Sequence, residues 1–468
     1  MELATSIPAA SWSKLREYKA RGLVYVVLFC ALIAGFILSL AASLTLVDDK
    51  AIEARLRQSL ASGVFNAAEY PVSPYGDNGH RYDMFSECVA FSIGHGESDQ
   101  GAFSRLIASN FVAEPGTITR TNYRACLALK TALDSGDLKA NANYFRFWHG
   151  YQIYMRPMLA HLGLDGMRRA NLLILYGAIL FFAFSLAPLV GGWGVAWIVA
   201  ALALTGDYFT MPLVTVHALP TAWIFFSVGL TARMLAAAPR IREAVPLFVF
   251  AAGAVANFLS FLFNPPLAPT LIAFVALAHA AWRGEGVGWR TQARAFGLAF
   301  IWFAGFFLAW LAKWALAAIV LGQDFVLHDV IVSASGAHYA ASLDTKAHLL
   351  LGPTLALLFE PNAGIFRIFF PAAVISAILL YARKIQSGGA APSLVQWIAL
   401  QSPILIAIAW VEKFAIHSLE HRLLTVRDFE PLVLFPPLAM LVLLRRAGHE
   451  AVAPREHPGR EAEEAIIN

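Results

Sequence analysis

Charge is scarce in this sequence. Asp, Glu, Lys and Arg make up only 14% of its 468 residues, against 58% apolar residues and a mean hydropathy of +0.61. A chain so apolar cannot hide its hydrophobic surface in one water-soluble core, so its solvent is read as a lipid bilayer. Cysteine is nearly missing too, with Cys30, Cys88 and Cys126 the three present. None stands in a Cys/His spacing of zinc type, which argues against a structural zinc site. Also missing are an internal repeat of fixed period and an inverted pair of Gly/Pro-broken spans, and this counts against the common transporter plans. The formal net charge is only +4. Its basic residues lie in short clusters between apolar runs, so they report topology and give no nucleic-acid partner.

What the chain has instead is apolar length. Runs able to cross roughly 30 Å of hydrocarbon fall near residues 22–46, 170–190, 192–205, 213–235, 245–263, 267–282, 295–320, 365–383, 393–411 and 431–445. The sequence therefore predicts an all-α polytopic membrane protein with about ten spans. Of these, 192–205 and 267–282 are short enough to be re-entrant. Residues 1–21, with Lys14, Arg16, Lys19 and Arg21, form a cytoplasmic start, and 22–46 is a retained anchor, longer than the apolar core of a cleavable signal. Starting inside, the count places Arg233, Arg240 and Arg242, then Arg283, Arg290 and Arg294, then Arg383 and Lys384, then Arg445 and Arg446 in the cytoplasm. That alternation is the positive-inside pattern, and it fits a bacterial inner (plasma) membrane protein with both termini cytoplasmic. Arg168 and Arg169 are the exception. Residues 47–168 become a large extracytoplasmic loop with amphipathic helices, 169–446 the bundle with smaller outer loops, and 447–468 a disordered tail rich in Glu, Arg and Pro.

Polar residues gather on the outer side of this topology. In "RYDMFSECVAFSIG" Asp83 and Glu87 are four apart and share a helical face. Such a pair can serve as a general base, hold a divalent cation or simply form a solvated face; no cofactor is assigned. Met84, Phe85, Val89 and Phe91 set Glu87 among apolar neighbours, where a carboxyl acquires an altered proton affinity. In "NANYFRFWHGYQIYMRPM" a second predicted helix runs Arg146, His149, Ile153 and Arg156 along one face and Tyr144, Trp148, Tyr151 and Met155 along the next. A cationic stripe beside an aromatic one suits a phosphate next to a sugar or lipid, or equally an interfacial helix anchored among headgroups. "HSLEHRLLTVRDFEPL" packs His417, Glu420, His421, Arg422, Arg427, Asp428 and Glu430 directly before the last span, to hold a lipid-linked phosphate or to tie the loop to the outer cap by salt bridges.

Asp207, His217, Asn264, Asp329, His338 and Glu360 are single polar residues of outer loops or span ends. Residues 321–364 suit amphipathic helices at the interface. Cys88 and Cys126 share the large outer loop, either bonded in an oxidising compartment or as two buried thiols. Lys313 is the main ionisable residue within a span, and this poverty argues against transport through the bundle.

In its cytoplasmic start, single span, large acidic first outer loop, many short-looped spans and late loop rich in Arg and His, the chain resembles the multi-spanning glycosyltransferases of the GT-C superfamily. The resemblance implies transfer of a sugar from a polyprenyl-phosphate donor to a glycan, lipid or protein acceptor outside the membrane. It implies a catalytic acid in the first outer loop, matched here by Asp48 and Asp49 in "VDDK" or by Asp83 and Glu87. "HSLEHRLLTVRDFEP" is similar to the stretch that some lipid-phosphate-sugar users carry before a final span. On that basis the donor phosphate is expected at Arg156, Arg422 or Arg427, with Arg146, His149, Tyr151, His417 and Glu420 around it. The alternatives are a polymerase joining lipid-linked repeats, and a carrier or flippase without chemistry.

Overall fold

The computed structural model describes residues 9–65, 67–71, 82–93, 102–113, 124–138, 140–205, 208–260, 263–334, 351–358, 364–388, 391–420 and 425–452. In chain order the helices are α1 Ala9–Leu46, α2 Asp49–Ala61, α3 Met84–Ile93, α4 Ala102–Ala108, α5 Ala125–Ser135, α6 Gln152–Thr205, α7 Thr215–Ala236, α8 Pro239–Glu243, α9 Val245–Leu259, α10 Leu267–Trp282, α11 Trp289–Leu321, α12 Gln323–Ala334, α13 Gly352–Leu358, α14 Gly364–Gln386, α15 Leu394–Gln401, α16 Ile404–Lys413, α17 Ala415–Glu420 and α18 Glu430–Val452. Short 3-10 turns occupy Met211–Leu213 and Val426–Phe429, and two-residue strands β1 Asn110–Phe111 and β2 Ala142–Asn143 pair antiparallel.

The architecture is all-α, as expected for a chain whose backbone groups must be satisfied where no water reaches. Among the described residues, seven helices are long and apolar enough to cross a membrane: Ala20–Leu46, Gln152–Ala203, Thr215–Ala236, Trp289–Leu321, Ile368–Gln386, Leu394–Lys413 and Val426–Gly448. Length and composition thus give seven candidates, against the roughly ten expected. The difference has a physical source. Two expected spans are the successive arms of α6, which is broken by Gly163 and Gly191 at positive φ and whose far end returns so that the Tyr176 hydroxyl donates to the Tyr208 carbonyl at 3.2 Å. At Gly191 a Cβ would lie 2.6 Å from the Arg445 guanidinium, which donates to the Ala187 carbonyl at 3.0 Å and inserts at the kink. The expected segments 245–263 and 267–282 form α9 and α10, of only 15 and 16 residues.

Two further expectations are corrected. Residues 144–151 are not helical: β2 is followed by a turn, and the helix starts only at Gln152. His149 takes a left-handed φ of 58°, and the Gly150 N–H donates to the Phe258 carbonyl at 2.8 Å, so this stretch caps the end of α9 in place of continuing a helix. The proposed stripe of Arg146, His149, Ile153 and Arg156 therefore does not exist. At the other terminus α18 continues through Val452, beyond the expected start of a disordered tail, and residues 453–468 lie outside the described residues.

Helices α2, α3 and α5, with the first turns of α6, build a cap around its own core, including Leu56, Phe91, Leu129, Tyr151 and Met155. A disulfide joins Cys88 of α3 to Cys126 of α5 across 38 residues of chain. Closing a loop of that length stabilises the fold by about 4 kcal/mol in the chain-entropy account. Arg168, the exception to the charge alternation, is built into this cap: it donates to the Val64 carbonyl at 3.0 Å and the Leu213 carbonyl at 3.3 Å. The cap docks through Lys313 of α11, whose Nζ donates to the Ile107 carbonyl at 2.7 Å and lies 5.6 Å from the centre of the Trp148 ring. The Trp148 ring N–H in turn donates to the Ala309 carbonyl at 2.8 Å.

At the opposite end of the bundle the arginines close helix termini. Arg283 reaches the Leu235 carbonyl at 3.4 Å and Arg242 the Ala237 carbonyl at 3.2 Å, both at the C-terminal end of α7. Within the bundle α9 and α11 touch backbone to backbone at Gly253 and Gly305. A Cβ at Gly253 would sit 2.0 Å from the Trp302 carbonyl oxygen, and one at Gly305 2.0 Å from that of Phe250. Apolar helices in lipid gain no hydrophobic term from meeting, so close van der Waals approach at small residues holds them together. Gly305→Ala is expected to cost about 1–3 kcal/mol through overpacking. Gly297→Ala on the same helix, with nothing within 4 Å, should be neutral or stabilising. Thermal unfolding of the detergent-solubilised protein checks this, and equal midpoints for the two variants would contradict the backbone contact.

Candidate functional site

The first turn of α7 starts without a capping side chain of its own. Helix α3 supplies one: Glu87 Oε2 accepts the Val216 N–H at 3.3 Å, with further hydrogen bonds from Thr215. Four residues earlier Asp83 caps α3 itself, Oδ1 accepting the Ser86 N–H at 3.0 Å and Oδ2 the Ser86 hydroxyl at 2.6 Å. The same Oδ2 lies 3.3 Å from Nε2 of His217, in the first turn of α7. Asp83 and Glu87 do share a face of α3, and that face is laid on the start of α7.

The two acids differ in environment. Glu87 is fully buried with Oε1 unpartnered among the described residues, and burial pushes its carboxyl up to about 7 against the pull of the Thr215 and Val216 hydrogen bonds. No substrate can reach it, so its expected catalytic role gives way to a structural one. Burial also raises the Asp83 carboxyl, but the hydrogen bond from His217, then the bonds from Ser86, outweigh it and hold Asp83 below the ordinary carboxylate range. Its side chain keeps 13% exposure.

The His217 ring stacks on Phe263, centroids 4.4 Å apart and planes 14° from parallel. Over the same Phe263 ring, 5.4 Å from its centre, sits the guanidinium of Arg427 from the 3-10 turn before α18, close enough for its charge to act on His217 and Tyr208. Beside it the Tyr208 hydroxyl, kept protonated by burial and by the charge of Glu430, donates to Glu430 Oε2 at 2.7 Å. Asn264, next to Phe263, is buried with neither amide atom hydrogen-bonded among the described residues, and buried Asp428, next to Arg427, leaves Oδ1 likewise. The acid at the head of α3, a histidine of the first turn of α7, an aromatic between α9 and α10, and an arginine of the turn before α18 thus form one chain of contacts.

The other expected site residues are used elsewhere. Asp48 is the N-cap of α2, accepting the Lys50 N–H at 3.0 Å. Asp49 sits between the Arg156 guanidinium and Arg105, the latter at 2.9 Å. Burial raises its carboxyl, but Arg156 and then Arg105 outweigh this and hold it low, which makes it a poor proton acceptor. Arg156 is corrected as a phosphate ligand: it is buried and bonded to Asp49, to the Ser43 carbonyl at 3.1 Å and to the Val47 carbonyl at 3.2 Å. Arg146 pairs with Asp329 of α12 at 2.8 Å. His149 spends both ring nitrogens, at 2.8 Å each, on the Tyr151 hydroxyl and the Tyr144 carbonyl, and burial, then the nearby Lys313 charge, pulls it down to about 3. It and buried Tyr151 are therefore parts of the cap core, not donor ligands. Arg422, His421, Asp207, His338, Glu360 and the side chains of His417 and Glu420 lie outside the described residues.

Among the described residues no group of three or more His, Cys, Asp or Glu is placed to hold a metal ion. No family model, no curated protein and no solved structure matches the chain.

Glu87 gives a pH signature. Its native carboxyl keeps a proton between about pH 4.5 and 7 that the unfolded chain has released, so its contribution is fully present below about 4.5 and is lost as pH rises through about 7. Wild type should lose up to about 3 kcal/mol relative to Glu87→Gln across that window. Thermal melts of both proteins at a series of pH values check this, and parallel curves would contradict it.

Proposed function

We propose that the protein is a GT-C-type glycosyltransferase. It takes a sugar from a polyprenyl-phosphate donor and passes it to an envelope glycan, lipid or protein acceptor on the extracytoplasmic face of a bacterial inner membrane. The observation that carries this reading is the run of contacts from Asp83 through His217 and Phe263 to Arg427, which links the first long loop to the late one. A phosphate leaving group needs its charge balanced more than it needs a proton, and arginine does this with paired hydrogen bonds. Asp83 and His217 supply the group that draws a proton from an acceptor hydroxyl. The sidedness supports the same reading. Arg233, Arg242, Arg283 and Arg445 lie at the end away from the cap, which the positive-inside rule makes cytoplasmic, with the cap outside in a compartment that permits its disulfide.

The test compares lipid-linked sugars and envelope glycans by mass spectrometry with and without the gene, and with Arg427→Ala. Loss of one glycan linkage, with its lipid-linked donor accumulating, is expected in both strains, Arg427→Ala lowering the product about 10²–10³-fold. Unchanged glycans, together with substrate counterflow by the protein in proteoliposomes, would establish the carrier reading; lipid-linked repeats left unjoined would establish the polymerase.

A further inference from the structure

The Asp83 oxygens already carry three contacts. Oδ1 holds the Ser86 N–H, and Oδ2 holds both the Ser86 hydroxyl and the His217 ring. An acceptor hydroxyl at this carboxylate would have to share Oδ1 with the N–H that it caps. His217 is arranged the other way. An ionised Asp83 can only accept, so Nε2 of a neutral His217 carries the hydrogen and the free lone pair falls on Nδ1. Among the described residues Nδ1 has no hydrogen-bond partner. Stacking on Phe263 fixes the plane of the ring, so the direction of that lone pair is fixed too. Arg427 lies over the same Phe263 ring, 5.4 Å from its centre.

We infer that His217 is the catalytic proton acceptor and that Asp83, rather than acting on substrate, is the positioning residue that sets the His217 tautomer. This rests on the transfer reading above. The acceptor O–H proton passes to Nδ1 as its oxygen forms a bond to the anomeric carbon. The bond from that carbon to the phosphate oxygen breaks, and its electron pair leaves with the polyprenyl phosphate, whose charge Arg427 balances. The imidazolium so formed faces the Asp83 carboxylate and afterwards gives its proton to water. The low proton affinity of Asp83 fits this division of labour: it is a weak base and a strong hydrogen-bond acceptor.

The experiment has two readouts on the full-length protein. The first is 15N NMR of histidine-labelled protein in nanodiscs, with His217 assigned by its loss in His217→Asn. Wild type should show the tautomer protonated at Nε2, and Asp83→Asn, whose amide can donate to Nε2, should shift it toward Nδ1. The second is the gene-dependent glycan in cells. His217→Asn and Asp83→Asn should each lower it about 10²–10⁴-fold at unchanged expression and thermal midpoint. A wild-type ring protonated at Nδ1 would overturn the inference without reference to any glycan, and it needs no folded His217 variant if assignment comes from the Asp83→Asn spectrum. Product retained within a few-fold in His217→Asn but lost in Asp83→Asn would make Asp83 itself the base, leaving the transfer reading intact. Absence of any gene-dependent glycan would overturn that reading, and this inference with it.

Discussion

The contact on which the rest depends is the face of α3 laid against the first turn of α7. A helix entering an apolar bundle brings orphan N–H groups that must be bonded before water is lost. Here the bonds come from Glu87, on an element far away in sequence. Once Glu87 is seated on Thr215 and Val216, Asp83 lies beside His217, and the geometry of the site is set by a capping requirement. The Cys88–Cys126 bond anchors α3 from its other side, to α5. The cap is therefore not an appendage to the bundle, since one of its docking contacts, α3 on α7, also sets the site.

The two ends of the bundle solve the same problem of exposed helix termini with opposite chemistry. Away from the cap, arginines donate to the last carbonyls of α7 and to the kink in α6. At the cap end the carboxyl groups of Asp83 and Glu87 meet helix N-termini, and Lys313 answers a carbonyl of the cap. Cations at C-termini and the ionised Asp83 at an N-terminus both match the helix dipole. The exceptions are Arg427, Asp428 and Glu430, three ionisable residues buried at the head of α18, with Asp428 in no ion pair among the described residues. Burying such groups costs stability, and they gather where the site is.

Apolar length made the all-α membrane architecture legible in the sequence, and a four-residue spacing put Asp83 and Glu87 on one face of α3. What the spacing did not reveal is which acid is reachable. That depends on α7, and only the packing shows Glu87 sealed beneath it while Asp83 stays partly open. Reading residues 144–156 as one helix failed because Gly150 bonds to Phe258 and His149 turns left-handed, tertiary demands that residue periodicity does not carry. Arg156 looked like a phosphate ligand because arginine commonly is one, yet Asp49 claims it. In the sequence His217 is only a single histidine at a span end, and Phe263 is not marked at all. Nothing local marked either as a partner of Asp83 or Arg427, because their meeting is made by the fold.

Whether Arg427 and His217 border one lipid-phosphate site is decided by a cryo-electron microscopy map of the protein in nanodiscs with bound polyprenyl phosphate. Phosphate density is expected against the Arg427 guanidinium, beside the His217–Phe263 stack. Phosphate density at the arginines of the opposite end, or at Arg146 with Arg427 unoccupied, would contradict it.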